Sequence, residues 1–123
     1  MNTLNEQLIK ASKDGDLEIV KSLIIEGADV HINDDKALRS AAYYGHLEII
    51  KYLVAEGADV HVSDEHALRF AACKGHLEVV KYLVEDHGAN VHVWDERALC
   101  CAVMGGHLEV VKYLVDNGAD VHD

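Results

Sequence analysis

Nine histidines and three cysteines in a chain of 123 residues invite two kinds of chemistry, metal ligation and nucleophilic attack. Most of the histidines recur in register. His46, His76 and His107 each follow a glycine, while His31, His61, His92 and His122 each close an Asp-Val or Asn-Val pair. Zinc requires ring nitrogens at ~2.0–2.1 Å, whereas stacked helices lie ~8–10 Å apart. Rings repeated once per stacked unit stand too far apart to share an ion, so polar contacts with backbone are expected and no metal site. Cys73, Cys100 and Cys101 lack Cys-x-x-Cys spacing and cannot all pair internally. At least one of the adjacent Cys100 and Cys101 is expected to be a small buried hydrophobe. Ser12, Ser22, Ser40 and Ser63 fall in different units, with no Gly-x-Ser-x-Gly or phosphate-cradling loop. No nucleophile, base and orienting group come together, so neither an enzyme nor a cofactor is expected.

The elements that position these residues are set by repetition. Gly-His-Leu-Glu-Val-Val-Lys-Tyr-Leu-Val stands at 75–84 and again at 106–115, with close variants at 45–54 and 15–24. The opening glycines Gly15, Gly45, Gly75 and Gly106 are spaced by 30, 30 and 31 residues. Self-similarity at this period marks a stacked repeat array. It divides a single domain, 1–123, into units near 4–33, 34–63, 64–94 and 95–123. In the second unit Ala37, Ala41 and Ala42 share one face of a helix predicted from about Lys36 to Tyr44. Asp34 or Asp35 is expected to cap it. A second helix, about Leu47 to Glu56, carries Leu47, Ile50, Leu53 and Val54 on one stripe and Glu48 and Lys51 opposite. The extra residue of the third unit, near Asp86–His87, is expected in the loop before Gly88, because inside a helix it would rotate the apolar stripe.

Composition narrows the partners. The net charge of −11 repels polyanions and argues against nucleic acid. No apolar run approaches the ~18 residues that span a bilayer. The first residues lack a signal-peptide pattern, and cysteine usage fits a reducing, cytoplasmic setting.

Ala-Ala-x-x-Gly-His-Leu-Glu-Val-Val-Lys-x-Leu, followed by Gly-Ala-Asp-Val, closely resembles the ankyrin repeat over essentially the whole chain. The resemblance implies a mainly α solenoid of stacked helix-turn-helix units joined by short hairpin-like loops. It also implies a non-catalytic module that binds a protein partner. The usual unit has 33 residues and opens its first helix with Thr-Pro-Leu-His. Here that tetrapeptide reads Lys-Ala-Leu-Arg, His-Ala-Leu-Arg and Arg-Ala-Leu-Cys, without proline. About three residues of the preceding turn are missing, so the projecting finger should be shorter, which argues against a deep groove. The Asp-x-x-Ala-Leu-Arg variant is similar to compact arrays of giant DNA viruses and amoebal proteins. The register of His31, His61, His92 and His122 is one that an oxygen-dependent hydroxylase modifies in animal members.

Family members recognise partners through finger tips and first helices, and there the units of this chain differ. The tips carry Asn33, Ser63 and Trp94; next come Asp35 and Lys36, Glu65 and His66, Glu96 and Arg97. Tyr43 and Tyr44, Cys73 and Lys74, then Met104 and Gly105 end the first helices, with Arg39, Arg69 and Phe70 between. Tyr43, Tyr44 and Trp94 are the expected anchors. Lys36, Arg39, Glu65, Arg69, Glu96 and Arg97 set charge. At the array's ends, Gln7, Lys10, Ser12 and Lys13 give the first unit a polar outer face. The last unit keeps Val103, Val110, Val111, Leu114 and Val115 as though another unit followed. Self-association through this uncapped repeat, or a place within a longer array, is the competing expectation.

Overall fold

The computed structural model describes residues 3–119, with the side chains of residues 93–96 left out. Helical spacing of small and apolar residues yields four helix pairs in chain order. They are α1 (Leu4–Asp14) and α2 (Leu17–Ile25), α3 (Ile32–Tyr44) and α4 (Leu47–Ala55), α5 (Val62–Cys73) and α6 (Leu77–Lys81), α7 (Val93–Met104) and α8 (Leu108–Asp116). Among the described residues there is no strand, so the units stack through helices alone.

Side-chain size decides how the pairs stack. Ala37, Ala41 and Ala42 of α3 and Ala67, Ala71 and Ala72 of α5 are fully buried. Their lack of bulk lets α1, α3, α5 and α7 pack directly on one another as an inner row. The second helices turn larger groups inward, among them Val20, Ile50, Leu53, Val80, Leu83 and Leu114. They form an outer row whose members touch one another less. Truncating a fully buried leucine such as Leu53 to alanine should cost about 2–5 kcal/mol.

The Gly-His register locks each unit to the one before. Gly45 ends α3 at φ +81°, and a Cβ there would lie 2.6 Å from the His76 ring of the next unit. Gly15 meets His46 and Gly75 meets His107 in the same way. The rings also complete hydrogen bonding: His46 Nε2 donates to the Lys13 carbonyl at 2.9 Å and His76 Nε2 to that of Tyr43 at 2.8 Å. These carbonyls lie at helix C-termini, where the backbone has no intrahelical donor.

The shortened finger is closed by a device the sequence did not suggest. Asn33, Asp34 and Asp35 take φ of 55°, 56° and 58°, and Ser63, Asp64 and Glu65 repeat this at 56°, 53° and 62°. Three successive left-handed residues cost roughly 1–2 kcal/mol each, least for Asn and Asp. The turn is held by the arginine of Ala-Leu-Arg. Arg39 donates from Nε to the Asp34 carbonyl at 3.0 Å and from Nη2 to that of Asn33 at 2.7 Å. Arg69 does the same for Asp64 and Ser63, at 3.0 Å each. Regular helix therefore resumes at Lys36, but neither Asp34 nor Asp35 caps it. Asp35 instead accepts from His31 Nδ1 at 2.8 Å and from the Asp59 backbone amide at 2.5 Å, tying one loop to the next. Glu65 joins His61 to the Asn90 amide likewise, at 2.9 and 2.8 Å.

The extra residue of the third unit is not in the loop. It is absorbed by a π-helical turn, Tyr82–Asp86, that continues α6. Widening that turn keeps Leu83 fully buried. It also keeps the closing bond from Ala89 to the Leu83 carbonyl at 3.0 Å, the partner of Ala58 to Leu53 at 3.0 Å. A π-turn thus accommodates an insertion that an α-turn would convert into a rotated stripe.

Candidate functional site

The inner row bears an open groove of about 580 Å³ between α1, α3 and α5. Tyr43 and Tyr44 form part of its wall, their ring centroids 4.8 Å apart. Successive residues at the end of a helix point along different directions, so one ring turns toward α5 and the other toward α1. Tyr43 lies 5.8 Å from the Phe70 ring and has Lys74 Nζ over its face at 4.8 Å. Tyr44 has Lys13 Nζ at 5.8 Å. Both lysines stand within the range of cation–π attraction. Lys10, Lys36, Arg39 and His66 extend the wall.

His66 reports the local field. Burial, then the guanidinium groups of Arg39 and Arg69, push its pKa down to about 4. It stacks on Phe70 with centroids 4.3 Å apart, and its Nδ1 is buried without a hydrogen-bond partner. The imidazole is thus neutral at physiological pH. Lys10 is engaged with Asp14 at 2.7 Å, which raises the lysine pKa and lowers that of the carboxylate.

The structure brings together Lys36, Arg39, Tyr43, Tyr44 and His66 in this groove. Phe70 and Lys74 flank it through Tyr43. Arg69, Phe70 and Arg97 line a smaller hollow of about 250 Å³ alongside Cys73 and Cys101. Asn33 and Ser63 are exposed at the left-handed turns. Three expected surface charges are corrected by burial. Asp35, Glu65 and Arg69 are 3%, 7% and 7% exposed, because each is drawn in to hold the shortened finger. The side chains of Trp94 and Glu96 lie outside the described residues.

Sequence reasoning missed Lys10 and Lys13 as walls of the groove, having read them as end-cap polarity. Their register offered the signal: Lys13 is equivalent to Tyr43, and Lys10 to Ser40. Ser12, expected on the polar end, is fully buried, its hydroxyl donating to the Leu8 carbonyl at 2.8 Å. Cys73 and Cys101 are joined as a disulfide, whereas Cys100 is exposed and free. The bridge occupies the diagonal contact that Tyr43 and Phe70 make one junction earlier. Neither adjacent cysteine is therefore the buried small hydrophobe that was expected.

A family model described as ankyrin repeats (3 copies) matches residues 8–95 and, overlapping, 67–123. The chain is an ankyrin-repeat protein. Among curated proteins none matches it. Ankyrin repeats are generally protein–protein interaction modules and typically non-catalytic. No helix among the described residues is long and apolar enough to cross a membrane. Nor does any group of three His, Cys, Asp or Glu there converge to hold a metal ion.

The last ankyrin unit differs from expectation in which apolar groups it leaves in water. Val110 and Leu114 are 1% and 0% exposed, buried in the unit's own core rather than presented outward. The exposed set is Met104 and Leu108, at 87% and 76%, with Val103 and Val115. The registers of Val103 in earlier units, Ala42 and Ala72, are fully covered by the unit that follows.

Proposed function

We propose that the chain is a single four-unit ankyrin domain that binds a protein partner, without catalysis, through the inner face of its first helices. One observation supports this above others: the paired Tyr43 and Tyr44 rings, flanked by Lys13 and Lys74, occur at one level of the stack only. A contact needed for stacking recurs at every level; this one does not. Half-buried aromatic groups already held by neighbours lose little entropy on binding, as interface anchors do. Lys36, His66, Phe70 and Arg97 extend the surface, and Trp94 belongs to it by register. Asn33, Arg39, Ser63 and Met104 lie at its margins. Asp35, Glu65 and Arg69 serve it indirectly by fixing the turns. Affinity capture from the source cell, repeated with Tyr43→Ala/Tyr44→Ala, tests the reading. A partner retained by the native chain and lost by the folded variant supports it; equal capture by both refutes it.

A second reading concerns self-association. The exposed Val103, Met104, Leu108 and Val115 cluster on the final unit, where interior units are covered. A second copy seated on this face would bury them, and Leu108→Glu should then abolish the dimer. Sedimentation showing a monomer at every concentration would eliminate it.

A further inference from the structure

The groove carries a sign of charge opposite to that of the chain, with Lys10, Lys13, Lys36 and Arg39 lining it against Glu6 and Asp14. Of the eleven Lys and Arg, Lys21, Lys51, Lys81 and Lys112 lie on the outer helices. All the others lie on the inner row or directly after it. Of the carboxylates that sequence alone would set against them, two are withdrawn, while Glu6 stays on the groove wall and Asp34 and Asp64 stay exposed. Asp35 and Glu65 are buried and bonded to His31, His61 and backbone amides of the next loop. Asp14 is held by Lys10. A groove with low-dielectric walls focuses the field of the cations that remain. The depressed proton affinity of His66 is in part the response of a group already there to that field.

We propose that the groove between α1, α3 and α5 receives a short acidic peptide segment, with an apolar or aromatic side chain seated on Tyr43 and Tyr44 and carboxylates turned toward Lys13 and Lys36. This rests on the reading of the inner face as the recognition surface and names its occupant. The volume of about 580 Å³ falls in the ~300–1,000 Å³ range of pockets that seat a compact ligand. A short segment fits the electrostatics better than a long polyanion. The net charge of −11 opposes nucleic acid as soon as it extends beyond the basic strip. A base stacks on tyrosine as an aromatic side chain does, so it is the net charge that favours a peptide.

The test is selection of peptides from a random display library on the intact chain, followed by fluorescence anisotropy of the enriched sequences. Three variants are compared after circular dichroism has shown each folded: Lys13→Glu/Lys36→Glu, Tyr43→Ala/Tyr44→Ala, and the outer-face control Lys21→Glu/Lys112→Glu. The expected peptides are rich in Asp and Glu around one apolar residue. Binding weakens about tenfold or more in both inner variants and less than about twofold in the control. If Lys13→Glu/Lys36→Glu is unfolded, Lys36→Ala replaces it, with a smaller loss in the same direction. Neutral or basic peptides that still depend on Tyr43 and Tyr44 would overturn the acidic occupant and leave the recognition face standing. Peptides indifferent to every inner substitution, or no enrichment, would overturn both. A single-stranded oligodeoxythymidine that binds as tightly as the best peptide, at the same lysines, would also overturn the proposal.

Discussion

On the outer helices Lys21, Lys51 and Lys81 lean over Tyr52, Tyr82 and Tyr113 of the following unit at 5.7, 5.7 and 5.9 Å. On the inner helices Lys13 and Lys74 approach Tyr44 and Tyr43, which stand side by side in one unit. The residue types are the same and their use differs. The outer pairs occur once per junction and glue neighbours together. The inner cluster occurs once in the array. Inner registers also change character from level to level: Lys13 with Ser40, then Tyr43 with Phe70, then the Cys73–Cys101 bridge. Repetition thus identifies scaffold, and on the reading proposed above the unrepeated tyrosine pair serves recognition, although both are built from lysine and tyrosine.

Breaking the scaffold should have the largest effect. Gly45→Ala places a Cβ 2.6 Å from His76 at φ +81°, so stability should fall by about 2–4 kcal/mol, measured by urea unfolding. Reducing Cys73–Cys101 reopens a link between residues 28 apart in sequence. The loss should be about 3 kcal/mol by the same measurement, and Cys73→Ser should abolish the response to reductant. Trp94→Ala, in a register filled by Asn33 and Ser63 elsewhere, should weaken partner binding by about 2 kcal/mol and leave the unfolding midpoint nearly unchanged. A large loss of stability instead would make Trp94 a packing residue.

The smallest effect is a pH dependence. His66 titrates near 4 in the folded chain against 6.5 ordinarily, so the unfolded chain takes up its proton first. Its contribution to stability is present above 6.5, falls as pH drops toward 4, and is constant below. His31 works the other way. The Asp35 hydrogen bond raises its pKa, adding stability below 6.5 that disappears as pH rises through the folded value. Subtracting the melting profile of His66→Gln from that of the native chain should isolate the acid-side loss. A variant as acid-sensitive as the native chain would show that His66 is not its source.

Much of this was legible in the residues. The period set the units, the alanine face set the inner row, and the regular part of α3 begins at Lys36 as its spacing predicts. The left-handed turns were not legible, because Asn-Asp-Asp suits a helix cap as well as a left-handed turn. Only the missing finger residues and the grip of Arg39 decide between them. The burial of Asp35 was hidden for a related reason: its partner is an amide 24 residues away. The π-turn escaped because a widened turn and a longer loop add the same residue. Lys10 and Lys13 were legible as exposed cations of the first unit, but not as walls of a groove shared with Tyr43 and Tyr44, which only the stacking of α1 on α3 creates.

The claim that recognition belongs to the inner face alone is tested most directly by calorimetric titration of a captured partner into two double variants. Tyr43→Ala/Tyr44→Ala removes the inner pair, and Tyr52→Ala/Tyr82→Ala removes rings from two outer junctions. The account predicts that the inner variant binds at least about 2 kcal/mol more weakly at nearly native stability. The outer variant should lose stability yet bind, where folded, with native affinity. Affinity that survives the inner change and falls with the outer one would contradict it.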